Sequence, residues 1–317
     1  MKTFNILDFF SKDKNFQSVL QEIEKQTPNN NIFVKNTTGS QKSILAAYII
    51  KKGRCNNLFI LDNLEEALYF LDDINNIIPN NNTFLFPSSE RIKLGDNNVL
   101  LERIDVLKKL ETKQKIAIVS YPRAIKEKIL SKENFRKNQI QIQLNDIINQ
   151  EDLIEKLNAL NFNNASLALE PGDYSIRGFI IDIFSYGNEY PYRIIFNNNT
   201  IEEITYFKVN DQMSVSSLDK ITIISNIQND QKESATNIFS YLNKNTITWI
   251  NNATILFDEM KNENDTTEFP CITKLIQQYQ CIYTGTMNNN LISKTLLFNS
   301  TSQPTFNNKF DLLIDHL

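Results

Sequence analysis

The chain has 317 residues, a formal net charge of -4, 7 glycines, 3 cysteines and one histidine, His316. One histidine argues against a Ser-His-Asp triad, a histidine general base and a histidine-rich metal site. Average usage would be about 7% glycine, so glycine-rich phosphate loops can occur at few places. The slightly acidic balance argues against a general nucleic-acid coat protein, since such proteins are strongly basic.

Cysteine spacing and hydropathy argue against further classes of protein. Cys55, Cys271 and Cys281 have no C-x-x-C spacing, which argues against a zinc knuckle and a disulfide framework. The first residues lack the continuous apolar core of a secretory signal, and no uninterrupted apolar run is long enough to span a membrane. We therefore expect no metal site, no membrane partner and a reducing, cytoplasmic setting.

The first third of the chain alternates short apolar runs with segments of helical periodicity. Strands separated by helices in this way are typical of an α/β unit with a parallel sheet. The predicted strands are residues 32–35, 57–61, 83–86 and 116–120, and the predicted helices are 41–52, 64–74 and 99–110.

The pattern changes in the middle of the chain. A locally basic stretch, residues 123–137, is interpreted as a solvated helix face, with a DNA-facing element as the alternative. Strict alternation of apolar residues at 140–144 then predicts a half-buried strand, and an amphipathic helix follows at 153–160. Further strands, separated by turn signals, are predicted at residues 175–184, 191–196 and 200–207. These elements predict an α+β module.

The α/β pattern returns in the last third of the chain. The simplest interpretation is one α/β domain formed by two sequence-distant halves, residues 1–125 and 214–317, with the α+β module of residues 126–213 inserted between them. Residues 309–317 keep a helical pattern without a stop signal, so we expect the chain to be a piece of a longer protein. The predicted elements of this part include strands at 221–225 and 246–250 and a helix at 234–243.

One segment, from Asn36 to Ser43, lies between a predicted strand and a predicted helix, as a phosphate-binding loop would. In the pattern G-x-x-x-x-G-K-[ST] the glycines let backbone N–H groups cradle phosphates, the lysine reaches the outer phosphates and the hydroxyl holds Mg²⁺. Lys42 and Ser43 fit this pattern and Gly39 remains, whereas Asn36 and Gln41 stand in place of the two required glycines. We interpret the segment as a degenerate nucleotide loop.

A nucleotide enzyme also needs an acidic residue after a strand to orient Mg²⁺ and the attacking water. Asn251 and Asn252 follow a predicted strand at the position where carboxylates would be needed. Asp258 and Glu259 are the alternative, but their segment also has a helical pattern. We take the asparagine pair as the positional equivalent, so the enzyme interpretation fails on two independent counts.

The strongest local signal is the string EPGDYSIRGFIIDIF at residues 170–184, followed by PYRIIF at 191–196 and IEEI at 201–204. This string and its spacing resemble UvrB and, more closely, the UvrB-like N-terminal region of the transcription-repair coupling factor Mfd. The resemblance extends over residues 31–212, and the degenerate loop lies where this family has its phosphate-binding loop.

The resemblance implies a binding role in nucleotide excision repair of DNA damage. The inserted module would dock UvrA, and the surrounding domain would be an inactive relative of a RecA-like helicase lobe. The motor that uses ATP and Mg²⁺, a DNA translocase, and the contacts with RNA polymerase and DNA would lie elsewhere in the full-length protein. For this chain we therefore expect no enzymatic activity and no cofactor.

Two alternatives remain open at this stage. The first is an ATP-binding, UvrB-like DNA helicase lobe, which would need a working Lys42–Ser43 loop. The second is a direct DNA-binding module, against which the acidic excess of residues 151–220 argues.

The candidate UvrA contacts come from strand periodicity. If residues 175–184 form one strand, Arg177, Phe179 and Ile181 point to the same face. An arginine beside apolar anchors is the residue mix of an interface hot spot, and Arg193 on the next strand shares the face. We therefore predict all four as partner-binding residues.

These four assignments have structural alternatives. Arg177 could instead form an ion pair with Asp182 or Glu170, and Phe179 and Ile181 could be buried in the core.

Overall fold

The computed structural model describes residues 5–25, 30–90, 97–112, 114–226, 235–261, 272–287 and 292–301, together with positions 311 and 314. Cys271 and His316 lie outside the described residues. Cys55 and Cys281 are buried and do not form a disulfide. No helix of the described part is long and apolar enough to cross a membrane.

Strands and helices alternate through most of the described chain. The strands are β1 (Ile32–Lys35), β2 (Asn57–Ile60), β3 (Thr83–Leu85), β4 (Ala117–Ser120), β5 (Ile129–Leu130), β6 (Gln139–Gln143), β7 (Asn163–Asn164), β8 (Asp173–Arg177), β9 (Ile180–Ile183), β10 (Tyr192–Asn197), β11 (Thr200–Phe207), β12 (Ser214–Ser217), β13 (Lys220–Ile224), β14 (Ala235–Thr236), β15 (Ile247–Ile250), β16 (Gln280–Tyr283) and β17 (Lys294–Leu297). The helices are α1 (Ile6–Phe10), α2 (Lys14–Glu24), α3 (Gln41–Lys52), α4 (Leu64–Ile77), α5 (Asn97–Glu111), α6 (Pro122–Lys126), α7 (Lys132–Lys137), α8 (Gln150–Ala159), α9 (Ala253–Lys261) and α10 (Ile272–Ile276).

The larger sheet has seven strands in the order β17-β1-β16-β15-β2-β4-β3. Every neighbouring pair in it is parallel, so the predicted α/β fold class with a parallel sheet is confirmed. Strands β2, β4 and β15 are buried on both faces, as expected of a parallel sheet covered by helices.

Asn63 begins α4 because its side chain accepts a hydrogen bond from the Glu66 N–H at 3.0 Å.

The second sheet has six strands in the order β12-β11-β10-β9-β8-β7. Its pairs are antiparallel except for the parallel pair β7–β8. One face packs on α8 and β6 around a hydrophobic cluster that includes Ile142, Leu153, Ile181 and Ile194. The segment between the two parts of the larger sheet therefore has a core of its own.

The ends of this middle segment differ from the expected boundaries in one respect. Strand β12 pairs with β11 and strand β13 pairs antiparallel with β6, although both lie beyond residue 213. The predicted strand at 221–225 is therefore present, but it does not join the parallel sheet. The division at residues 125/126 and 213/214 stays a prediction, and we infer that the middle segment continues through β13.

Two element predictions were wrong. Residues 175–184 do not form one strand, because the chain reverses at Gly178–Phe179 and β8 pairs antiparallel with β9. Gly178 has a φ of +60°, and glycine at the first position of a two-residue loop is typical of a type II′ hairpin turn. In the predicted helix at 234–243, the described residues instead form β14 and a short 3₁₀ helix, Ile238–Tyr241.

Candidate functional site

One face of the six-stranded sheet carries a row of polar residues. The pairing register places Ser175, Asp182, Arg193, Thr205 and Ser217 side by side on β8 to β12. Residues directly opposite one another in antiparallel strands share a face. We call this side of the sheet the polar face. The other side carries the hydrophobic cluster.

Ile181 lies on the hydrophobic side and not beside Arg177. It pairs with Ile176 and Ile194, and its exposed fraction is 0%. The prediction that Ile181 shares the face of Arg177 was wrong. In one continuous strand residues four apart share a face, but the two-residue loop at Gly178–Phe179 makes Arg177 pair with Ile180. Ile181 then turns toward the core.

Asp182 is the centre of the polar face. Its side chain is 1% exposed, yet both of its oxygens are paired. The Arg193 guanidinium donates from Nε to Oδ1 at 2.7 Å and from Nη2 to Oδ2 at 3.0 Å, which is a two-pronged contact. Arg177 donates from Nη2 to Oδ2 as well. The alternative of an Arg177–Asp182 ion pair is thus confirmed.

Arg193 is held on several sides. Its Nη1 donates to the main-chain oxygen of Gln212 at 3.0 Å, and its guanidinium lies 4.4 Å from the centre of the Phe207 ring. Hydrogen bonding to Asp182, supported by the charge of that carboxylate, raises the pKa of Arg193 above its ordinary value. With an exposed fraction of 14%, the Arg193 side chain is largely enclosed within the sheet face.

Arg177 and Phe179 are at the surface instead. The Arg177 side chain is 44% exposed, and Phe179 in the hairpin loop is 64% exposed. The Phe179 carbonyl accepts a hydrogen bond from the Phe196 N–H at 2.8 Å, so the loop is tied to the neighbouring strand. We call these two residues the hairpin tip. Of the four predicted partner-binding residues, the hairpin tip is the part that the fold leaves open to a partner.

No role was predicted for Gln212, although it is the last residue of the stretch 31–212 over which the family resemblance extends. Its backbone φ is +58°, a left-handed conformation in which few residues other than glycine and asparagine are found. Its carbonyl oxygen is the acceptor for Arg193, and its N–H donates to the Lys208 oxygen at 2.8 Å. The residue therefore fastens the loop between β11 and β12 to the polar face.

The degenerate nucleotide loop has its key side chains engaged by the protein. Lys42 Nζ donates to Asn251 Oδ1 at 2.8 Å, and Asn251 Nδ2 donates to Asp62 Oδ1 at 2.9 Å. Ser43 Oγ donates to Asp73 Oδ2 at 2.7 Å. The side chains that would reach phosphates and Mg²⁺ in a working loop thus bind neighbouring residues.

The remaining loop positions also argue against a nucleotide. Gln41 Oε1 accepts a hydrogen bond from Ser300 Oγ at 2.6 Å, so the second missing glycine is replaced by an amide in contact with another segment. Asn36 keeps a positive φ of 64°, which asparagine tolerates better than most residues. These residues do not fit ATP with Mg²⁺.

The two acidic residues considered as an alternative to Asn251 and Asn252 do not lie at the degenerate nucleotide loop. Asp258 and Glu259 lie within α9, as the helical pattern allowed. Asn251 directly follows β15 and contacts Lys42, which is the placement that the sequence interpretation requires of a positional equivalent.

Arginines of the basic stretch, residues 123–137, form ion pairs on the surface. Arg136 Nε is 2.9 Å from Glu111 Oε1, and Arg123 pairs with Glu90. Paired, solvent-exposed charges of this kind favour the interpretation as a solvated face over a DNA-facing element.

Comparison with known proteins gives matches to the middle of the chain and to much of the rest. Residues 140–228 match the family model of the UvrB interaction domain. The transcription-repair-coupling factors of Bacillus subtilis (strain 168) and Staphylococcus haemolyticus (strain JCSC1435) are each 24% identical, over 223 and 222 residues respectively. Both matches cover 69% of this chain and 19% of the relative. The factor of Borreliella burgdorferi is 31% identical over 111 residues, which is 35% of this chain and 10% of that protein.

The chain therefore spans about a fifth of the length of the Bacillus and Staphylococcus relatives. The family resemblance predicted from the string at residues 170–184 is confirmed. Residues 140–228 match the UvrB interaction domain family, and 69% of the chain is similar to part of transcription-repair-coupling factors.

Proposed function

We propose that this chain is a non-catalytic recruitment module that binds UvrA through the hairpin tip. In transcription-coupled nucleotide excision repair, it would bring UvrA to a stalled RNA polymerase, which other parts of a longer protein would contact together with DNA. The observation that carries the proposal is an exposed arginine beside an exposed phenylalanine on the UvrB interaction domain.

The hairpin tip has the chemistry of a protein-binding hot spot. Arginine and aromatic residues dominate such positions, because a planar charged donor and a large apolar ring each contribute strongly once water is excluded. Phe179 lies in a two-residue turn between two paired strands, so it loses little conformational freedom on binding. An acidic group of the partner, next to an apolar pocket, would complement this surface.

The nucleotide loop supports the non-catalytic part of the proposal. A working loop needs a free lysine, a hydroxyl directed at Mg²⁺ and two glycines. Here Lys42 and Ser43 are bound to Asn251 and Asp73, and neither glycine is present. The proposal therefore assigns ATP and Mg²⁺ to the motor of the longer protein.

A calorimetric titration of the chain with UvrA tests the recruitment role. We expect saturable binding that weakens modestly as salt rises, because the contact combines one charge with apolar area. Absence of saturable binding would refute the proposal. Binding to DNA alone, with affinity that falls steeply as salt rises, would favour the DNA-binding alternative instead.

A titration with Mg-ATP separates this function from the helicase alternative. We expect no saturable binding by the wild-type chain and none by Lys42→Ala. The substitution should instead lower the free energy of unfolding by about 1 kcal/mol, because Asn251 loses a hydrogen-bond donor. Nucleotide binding that disappears in Lys42→Ala would restore the helicase interpretation.

A further inference from the structure

We propose that Arg193 is a positioning residue, which keeps Asp182 neutralised so that Arg177 can leave it for a carboxylate of UvrA. The proposal rests on the function proposed above and assigns unequal roles to two arginines that the sequence treated alike. It also names the chemistry that Arg177 recognises, an acidic side chain on the partner.

The two arginines contact Asp182 in different ways. Arg193 uses two nitrogens, Nε and Nη2, and binds both carboxylate oxygens at 2.7 and 3.0 Å. Arg177 contributes Nη2 to a single oxygen, and its side chain makes no other hydrogen bond within the described residues. Arg193 is enclosed and Arg177 is nearly half exposed. The Asp182–Arg193 pair therefore remains complete when Arg177 moves away.

Because Asp182 is buried, it needs a counter-charge that stays in place, and Arg193 supplies it. A buried carboxylate without a counter-charge is strongly destabilising. If Arg177 were the sole counter-charge of Asp182, it would be held tightly and could not leave Asp182 to bind UvrA. Since Arg193 already supplies the counter-charge, loss of the Arg177 contact leaves no unpaired buried ion. Arg177 can thus bind a carboxylate at little cost to the fold.

A spare donor lies next to the carboxylate. Ser175 pairs directly with Asp182 across β8 and β9, is buried, and its Oγ has no hydrogen-bond partner in the described part of the chain. Buried hydroxyls are ordinarily satisfied. A hydroxyl at this place can replace the hydrogen bond that Asp182 loses when Arg177 departs.

Arg193 itself cannot exchange in the same way. Besides Asp182, it binds the Gln212 carbonyl and stacks on Phe207, so its departure would release both the carboxylate and the loop between β11 and β12. A direct contact of Arg193 with UvrA would break several interactions, whereas a contact of Arg177 breaks one.

A double-variant experiment tests the roles by calorimetric titration with UvrA. Arg193→Lys keeps the charge but loses the two-pronged contact, so Arg177 becomes the main partner of Asp182. We expect affinity for UvrA to fall about fivefold to tenfold, an order-of-magnitude estimate for losing one of several hot-spot contacts. Adding Asp182→Asn removes the carboxylate that holds Arg177 and should restore affinity to within about twofold of wild type, since near-neutral changes lie in that range.

This rescue distinguishes positioning from the other roles. If Arg193 contacts UvrA directly, or acts only by stabilising the fold, Arg193→Lys/Asp182→Asn will stay as weak as the single variant, and the proposal is overturned. In an Arg177→Ala background, Arg193→Lys should cause no further loss of affinity. If the affinity losses of the two single variants add in this background, the proposal is also overturned. Melting temperatures of all variants control for folding.

Nuclear magnetic resonance of the free chain provides a test that does not need UvrA. We expect slow hydrogen exchange at the Arg193 Nε–H in both wild type and Arg177→Ala, and slower exchange at Arg177 in Arg193→Lys than in wild type. Loss of Arg193 protection in Arg177→Ala would contradict the proposal even if Arg193→Lys failed to fold. Absence of UvrA binding by the wild-type chain would refute the proposed function alone, leaving these exchange rates to judge the roles of the arginines.

Discussion

Replacing Arg177 by alanine should weaken UvrA binding about 30-fold or more, because truncation of an interface hot spot costs about 2 kcal/mol or more. The free energy of unfolding should change by about 1 kcal/mol or less, because the Arg177 side chain is nearly half exposed and the net contribution of one hydrogen bond is of that size. Stability is affected less than UvrA affinity because Asp182 keeps Arg193 as its counter-charge in the variant. Isothermal titration and urea denaturation measure the two quantities on the same sample.

Arg136→Ala is the matched control for this prediction. Arg136 is also an exposed arginine in an ion pair, with Glu111, but it lies on α7 and outside the UvrB interaction domain match. Its replacement should leave UvrA affinity unchanged. Equal losses in both variants would indicate general attraction between charges, and unchanged affinity in Arg177→Ala would refute the assignment of the hairpin tip.

Replacing Ile181 by alanine should lower the free energy of unfolding by about 2–5 kcal/mol, the range for truncating a fully buried isoleucine. Ile181 lies between Ile176 and Ile194 on the hydrophobic side of the sheet, so the substitution leaves a cavity in the core of the middle segment. Urea denaturation should show a lower midpoint with an unchanged slope.

Phe179→Ala is the comparison for Ile181→Ala, two positions away in the sequence. Because Phe179 is exposed, its truncation should change the free energy of unfolding by no more than about 0.5 kcal/mol, while UvrA affinity falls. For Ile181→Ala the opposite is expected, with normal affinity in the molecules that remain folded. If Ile181→Ala proved stable and unable to bind UvrA, the face assignment made from the strand register would be wrong.

The parts of the fold that the sequence predicted correctly rest on local periodicity. Residues 41–52 repeat apolar side chains at helical spacing and form α3 with those same ends. Residues 200–207 alternate as a strand and form β11. Asn63 predicted the start of α4 because a cap acts within four residues of the chain. Each of these signals is complete within one element.

The hairpin at Gly178–Phe179 was missed because its turn lacks the usual local signal. Two-residue hairpin loops are most easily recognised as Asn-Gly or Asp-Gly, whereas here glycine precedes phenylalanine in an apolar stretch. The error reversed the predicted orientation of Ile181, since a shift of one residue in register moves side chains to the opposite face. Arg177 and Phe179 stay predicted partner-binding residues.

The sequence by itself determined the α/β class, the degenerate loop and the family resemblance, because these depend on residue type and spacing along the chain. Only the tertiary structure decided that Asp182 binds two arginines and that Lys42 binds Asn251. Asp182 and Arg193 are eleven residues apart, and Lys42 and Asn251 are 209 residues apart. Strand order and register bring distant segments together and so determine which charged side chains form pairs. Burial then determines that Arg193 is enclosed and that Arg177 stays accessible to a partner.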